Sequence, residues 1–319
     1  MGSELLDLKD CYQSKIPAGY RRLAWEGVSL CVPSNWEIAD YRYLRRQACR
    51  IEIEDEVAIR LEAEWVRATG RLNLESIMER YEKASKPLTV KAEEKEGILG
   101  LPQGWHATRF IFKETGAGKG ASLKFIRHEL VTAFYICPQS SLFCFLLLHF
   151  LPEDREDPVE ITQRLASSFK DHRDEDYTPW QLFDLSYKMP SKFSLTKASF
   201  DIGSKLMIFE WEKRRLFLWT HSCADVFLKG TSPEKWAVGN LNAEKRVRGI
   251  IFRNKTGEGM GWRRKKMHPF GSRDDIGRWC FRFHVGCKVM KENNQLLVWV
   301  YHYRENNDLL KLPAELAPS

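Results

Sequence analysis

LFCFLLLHFLPEDRED, residues 142–157, begins with nine residues that carry hardly a polar atom apart from His149, and ends in an abrupt acidic tail. Three readings compete for it: a membrane anchor, the bed of a catalytic histidine, or a core strand. A helix that crosses a bilayer needs roughly 20 apolar residues, and this run stops at Pro152 after about ten. Length removes the first reading, and no membrane insertion is expected. A strand that is apolar on both faces belongs in the middle of a sheet covered on both sides.

The 319 residues are long for one compact domain and comfortable for two. A content of 43% hydrophobic and 29% charged residues, with 11 Trp and 18 Phe, is that of a folded chain with bulky core material. The opening MGSELLDLKDCYQSK has acids and no apolar run, unlike a secretion signal, so a cytoplasmic location is expected. The eight cysteines form no CxxC pair, and buried, reduced thiols are expected.

His149 has a counterpart. QLLVWVYHYRENND, residues 295–308, is again an apolar run, then His302, then a charged turn. Other pairs keep nearly the same offset: Trp25 with Trp180, PSNWEI at Pro33 with PSKFSL at Pro190, Arg60-Leu61 with Arg215-Leu216, and the Gly-Trp of Trp105 with that of Trp262. Five anchors in one order point to a tandem duplication. The expected organisation is an N-terminal extension over 1–20, a first repeat over 21–171, a polar linker HRDEDYTP over 172–179, and a second repeat over 180–319.

Within the first repeat, GVSLCVP and ACRIEIEDEVAIRLEAEWV alternate apolar and polar residues, the period of half-buried strands. A helix follows, with Asn73 able to cap it, Leu74, Ile77, Met78 and Tyr81 on one face, and Pro87 expected to end it. WHATRFIFKE, SLKFIRHELVTAFYI and LFCFLLLHF read as strands. A second helix opens with Asp157 as cap and Pro158 in the first turn, and Ile161, Leu165 and Phe169 repeat every four residues. The fold class is therefore α+β: two tandem repeats, each a mainly antiparallel sheet covered by helices as an α/β/α sandwich. His149 and His302, alike at strand ends, are expected to be structural and hydrogen-bonded.

A short strand leading to a proline and an aromatic (VPSNWEI, KMPSKFSL), a meander of strands, a helix with an aromatic (SIMERYEKA), then strands and a closing helix resembles the PsbP-like fold. That fold is shared by a photosystem lumenal subunit, a nuclear-import factor that binds a small GTPase, and bacterial secretion adaptors. The resemblance covers roughly 20–170 and 178–312. It implies a protein that binds other macromolecules without catalysing a reaction, and it transfers no site residue.

TGAGKGAS, residues 115–122, lacks the spacing of a phosphate loop and leads into a strand instead of a helix, so it reads as a hairpin loop. His221, Cys223, Cys280, His284 and Cys287 do not converge in the tight pairs zinc needs, and neither a metal nor a cofactor is expected. The acids of EIEDEVAIRLEAEW alternate along a strand and are expected to face water. No nucleophile or acid/base pair stands out, so catalytic residues are none; an enzyme with a cleft between the repeats, resting on His149, His284 and His302, is the third-ranked reading.

The charge is uneven. The chain carries a net +7, but residues 245–282 alone hold twelve Lys and Arg against three acids, which leaves the remainder near neutral. Lys245, Arg246, Arg248, Arg253, Lys255, Arg263, Arg264, Lys265, Lys266 and Arg273, with Trp262 for stacking, are the candidate surface for an anionic partner. Such a surface attracts phosphates through counterion release, or an acidic protein face. A protein-interaction or adaptor role is the leading expectation, and nucleic-acid binding through 245–282 the alternative.

Overall fold

A computed structural model describes residues 16–43, 48–67, 74–89, 91–116, 124–137, 139, 141–171, 176–182, 185–212, 214–244, 250–254, 260–264 and 282–303. They fall into two compact units, residues 1–174 with 178–186, and residues 175–177 with 187–319. The chain is sheet-rich α+β, and its sheets pair antiparallel.

In the first unit the elements run β1 (Tyr20–Trp25), β2 (Val28–Pro33), β3 (Glu37–Tyr43), β4 (Ala48–Glu54), β5 (Ile59–Arg67), α1 (Leu74–Thr89), β6 (Glu94–Gly97), β7 (Trp105–Gly116), β8 (Lys124–Cys137), β9 (Leu142–Phe150), α2 (Pro158–Ser168) and β10 (Tyr177–Leu182). Seven strands form one sheet in the order β3-β4-β5-β9-β8-β7-β6. The apolar run that begins at Leu142 is its middle strand, fourth of the seven, as its two-sided apolar character requires.

Local chemistry sets the helices. Asp157 caps α2 by accepting from Val159 N at 2.9 Å, Pro158 occupies the first turn, and Ile161 and Leu165 are buried. α2 packs against β2, β7 and β8. On α1, Tyr81 lies 5.0 Å from the Phe143 ring and 4.8 Å from that of Phe145. Pro87 does not end α1, which continues to Thr89. A proline this near a helix end removes only one internal bond, and Thr89 Oγ1 donates back to Ser85 O at 3.4 Å. The Asn73 cap lies outside the described residues.

β10 pairs with β1 at Ala24↔Gln181. Trp180 is buried and meets Trp25 edge to face at 5.0 Å, so these two tryptophans, which the sequence aligns with each other, are neighbours in one sheet. Residues 178–186 belong to the first unit for that reason.

After β11 (Leu185–Pro190) the chain continues as β12 (Ser194–Asp201), β13 (Ser204–Trp211), β14 (Arg214–Ser222), a short α3 (Ala224–Phe227), α4 (Pro233–Ala243), β15 (Ile250–Asn254), β16 (Met260–Arg264), β17 (Arg282–Met290) and β18 (Gln295–Tyr303). The main sheet of the second unit has the order β12-β13-β14-β18-β17, and β15 pairs with β16. Ser232 caps α4 from its hydroxyl to Lys235 N at 3.2 Å, and Ala237 and Leu241 are buried in the core.

Fine details recur along the chain. Ser34 N bonds Gly19 O at 2.9 Å and Trp36 N bonds Pro33 O at 3.0 Å; 157 residues on, Ser191 N bonds Asp176 O and Phe193 N bonds Pro190 O, each at 2.8 Å. The β3–β4 ladder slips between Ile38 and Asp40, and the β12–β13 ladder slips between Leu195 and Lys197. The β8–β9 hairpin closes at Cys137↔Leu142 and the β17–β18 hairpin at Met290↔Gln295. Each carries a left-handed residue just before its second strand, Ser141 at φ 52° and Asn294 at φ 50°. Leu61 stands opposite Leu148, and Leu216 opposite Tyr301.

Candidate functional site

The alternation along β5 sends Leu61, Ala63 and Trp65 into the core and Glu62 and Glu64 to the opposite face. Antiparallel register then decides their neighbours. On β4, Arg50 lies opposite Glu64 and Glu52 opposite Glu62; on β9, Phe145 lies opposite Glu64 and Leu147 opposite Glu62. α1 passes over this patch and contributes Tyr81, Ala84, Ser85 and Leu88 to a cavity of about 190 Å³. The acids expected to face water therefore line a pocket, because a helix closes over a face that strand alternation alone leaves open.

The pocket holds a chain of charge-assisted hydrogen bonds. Arg50 donates to Glu62 Oε2 and lies 3.5 Å from Glu52. His149 Nε2 is 2.9 Å from Glu62 Oε1, with side chains 26% and 21% exposed. The Tyr81 hydroxyl donates to Glu64 Oε1. The His149 hydrogen bond, helped by the Arg50 charge, holds the Glu62 carboxyl below the usual range against the opposing effect of burial. Burial and the Glu64 hydrogen bond push the Tyr81 phenol far above its ordinary value, so it stays a neutral donor. The Ser85 hydroxyl is spent on its own helix, donating to Tyr81 O at 2.9 Å and Glu82 O at 3.1 Å.

His149 thus has the orienting acid that the sequence did not nominate. Its hydrogen-bond partner among the described residues is Glu62, with no hydroxyl or thiol on the ring. The arrangement holds these charges in place on one face of the sheet.

The second unit offers a comparison at positions fixed by the same register. Where the first unit has Arg50, Glu62, Glu64, Phe145 and Leu147, the second has Leu206, Phe217, Trp219, Val298 and Val300, all of them buried members of one hydrophobic core. His302, opposite Arg215, is buried with its ring 5.4 Å from that of Phe217.

The other candidates are placed as follows. Arg253, Trp262, Arg263 and Arg264 lie on the β15–β16 hairpin, opposite Gly261, Phe252, Ile251 and Ile250 respectively. Lys245, Arg246, Arg248, Lys255, Lys265, Lys266 and Arg273 lie outside the described residues, as does Cys280. Among the described residues no three His, Cys, Asp or Glu groups gather as a metal site. His221 sits 4.8 Å from the Trp236 ring, and burial pulls its pKa down to about 4. Burial likewise pushes the Cys287 thiol up to about 11, away from the thiolate a metal would need. Among the described residues no helix is long and apolar enough to cross a membrane. The pocket residues Arg50, Glu62, Glu64 and Tyr81 were missed; the signal lay in two acids on the strand next to the central one, under a helix stripe that includes a tyrosine.

No protein-family model matches the chain, and no curated protein does. Among solved structures, the Saccharomyces cerevisiae Ran-binding protein Mog1p is similar at 11% identity and a TM-score of 0.28, over 48% of this chain and 95% of that one. A Bacteroides thetaiotaomicron protein is similar at 8% identity and a TM-score of 0.24, over 69% of this chain and 59% of that one. Likeness at this level is weak and architectural.

Proposed function

We propose that the chain is a noncatalytic, macromolecule-binding protein of adaptor type, made by duplication of one α+β unit, and that the pocket under α1 is its recognition site. Recurrence of the bulge, the post-proline turn, the left-handed hairpin residue and the strand register supports the duplication. One observation carries the functional reading: equivalent positions are an ion-paired pocket in one unit and an apolar core in the other. Partly buried ion pairs rarely add stability over well-packed apolar residues, and the second unit shows the apolar solution on the same strand plan. A network whose place apolar residues take on the same strand plan is read as serving recognition.

The partner is read as a protein. The test is capture by the full chain from source-cell lysate at about 0.15 M salt, where surface charges are screened beyond roughly 8 Å, with and without nuclease, and with a Leu88→Asp variant beside the wild type. Recovery of a protein in fixed proportion that resists nuclease and is lost with Leu88→Asp supports the reading. Recovery that depends on nucleic acid and is unchanged by Leu88→Asp overturns it in favour of the basic 245–282 segment.

A further inference from the structure

The carboxylates of the pocket are not equally satisfied. Glu62 has both oxygens occupied, one by His149 and one by Arg50. Glu64 receives only a neutral phenol on Oε1, and Oε2 accepts no hydrogen bond among the described residues. Arg50 is held by Glu62 and lies 3.5 Å from Glu52, and among the described residues it makes no ion pair with Glu64. Counting Arg50 against Glu62 leaves Glu64 without an ion pair among the described residues, half-buried where a cation gains more than it would in water.

Size and lining narrow what that cation is. About 190 Å³ lies below the 300–1,000 Å³ or so of sites that enclose drug-sized molecules, and suits the end of one side chain. Phe145 and Leu147 make an apolar floor, and Leu88, 48% exposed, stands at the rim. Those groups match the methylene stem of a long basic side chain. The Tyr81 ring is taken up by Phe143, Phe145 and Arg80, 5.9 Å over it, which leaves the half-buried Phe145 ring in the pocket lining for a planar cation to stack on. We infer that the pocket under α1 receives the arginine side chain of a protein partner, its guanidinium on Glu64 and its stem against Leu88, Phe145 and Leu147. The inference rests on this pocket being the recognition site proposed above. Arginine is also among the residues that dominate interface energetics when they enter a desolvated pocket.

The test uses the full 319-residue chain with methyl-labelled leucine, titrated with acetylated, amidated pentapeptides of glycine that carry Arg, Lys, Leu or Glu at the centre. The Arg peptide is expected to shift the Leu88 and Leu147 methyl signals saturably, with a Kd on the order of 1 mM for a single anchored side chain. Glu64→Gln, which keeps the size and the Tyr81 contact, is expected to weaken that Kd about tenfold. Three results would overturn the inference: no shift, an equal response to the Lys or Leu peptide, or an unchanged Kd in Glu64→Gln. If Arg peptides fail while Leu88→Asp still abolishes capture from lysate, arginine is the wrong occupant and the binding role stands. If capture also ignores Leu88→Asp, the pocket is not the recognition site at all.

Discussion

Glu62 is the residue on which the pocket turns, because it joins His149 to Arg50 across three elements. Its folded pKa lies below its unfolded value, so the unfolded chain takes up the proton first as pH falls. The stability it contributes is complete at neutral pH and drains away below about pH 5, through the ordinary carboxylate range. Glu62→Gln is therefore expected to cost about 1–3 kcal/mol at pH 7, with the gap to wild type closing at acid pH; urea unfolding at the two pH values measures it. A gap independent of pH would contradict the pairing. His221 works in the opposite chemical sense but the same pH direction. Its neighbours are the Trp236 ring and the Asn240 amide, 3.4 Å away, neither of which carries a charge. With a folded pKa near 4 against 6.5, the unfolded state gains the proton first, and stability of the second unit falls as pH drops through that window. The loss is on the order of 2 kcal/mol and is expected to vanish in His221→Phe, as melting at pH 7 and pH 5 would show.

Elements were legible wherever one local rule sufficed. The uniform apolar run gave the central strand, and Asp157 with Pro158 gave the start of α2. Pro87 misled because its consequence depends on how close it lies to the helix end, and α1 runs two residues further. The acids at Glu62 and Glu64 misled because alternation tells which face a residue takes and says nothing about which helix lands there. Hairpin packing shows a further detail that only register reveals. Gly286 stands opposite Trp299, and a Cβ at that glycine would fall 2.1 Å from the indole, where the corresponding hairpin of the first unit pairs Ala133 with Leu146. Gly286→Ala is expected to destabilise by about 1–3 kcal/mol through overpacking. Adding Trp299→Leu is expected to recover most of that loss, since it restores the pair already used by β8 and β9; a denaturation cycle of the two single variants and the double variant tests it.

At the scale of the molecule, the proposed duplication rests in the sequence on residues that fix backbone and core: a proline before a turn, a histidine at a strand end, an arginine before a leucine. Those anchors say nothing of the difference between the two units, which lies in ordinary alternating positions of β4 and β5 and becomes meaningful only once α1 covers them. On the proposed function, the ion-paired pocket serves recognition while the strand plan supplies stability. The most direct test replaces Arg50, Glu62 and Glu64 with Leu, Phe and Trp, the residues of the second unit at those positions, and measures the urea unfolding midpoint of the full chain. A midpoint equal to wild type or higher is the expected result, since apolar residues commonly match or exceed a buried ion-pair network. A loss of more than about 3 kcal/mol, the size of a broken buried pair, would mean the network holds the fold together and would contradict the account.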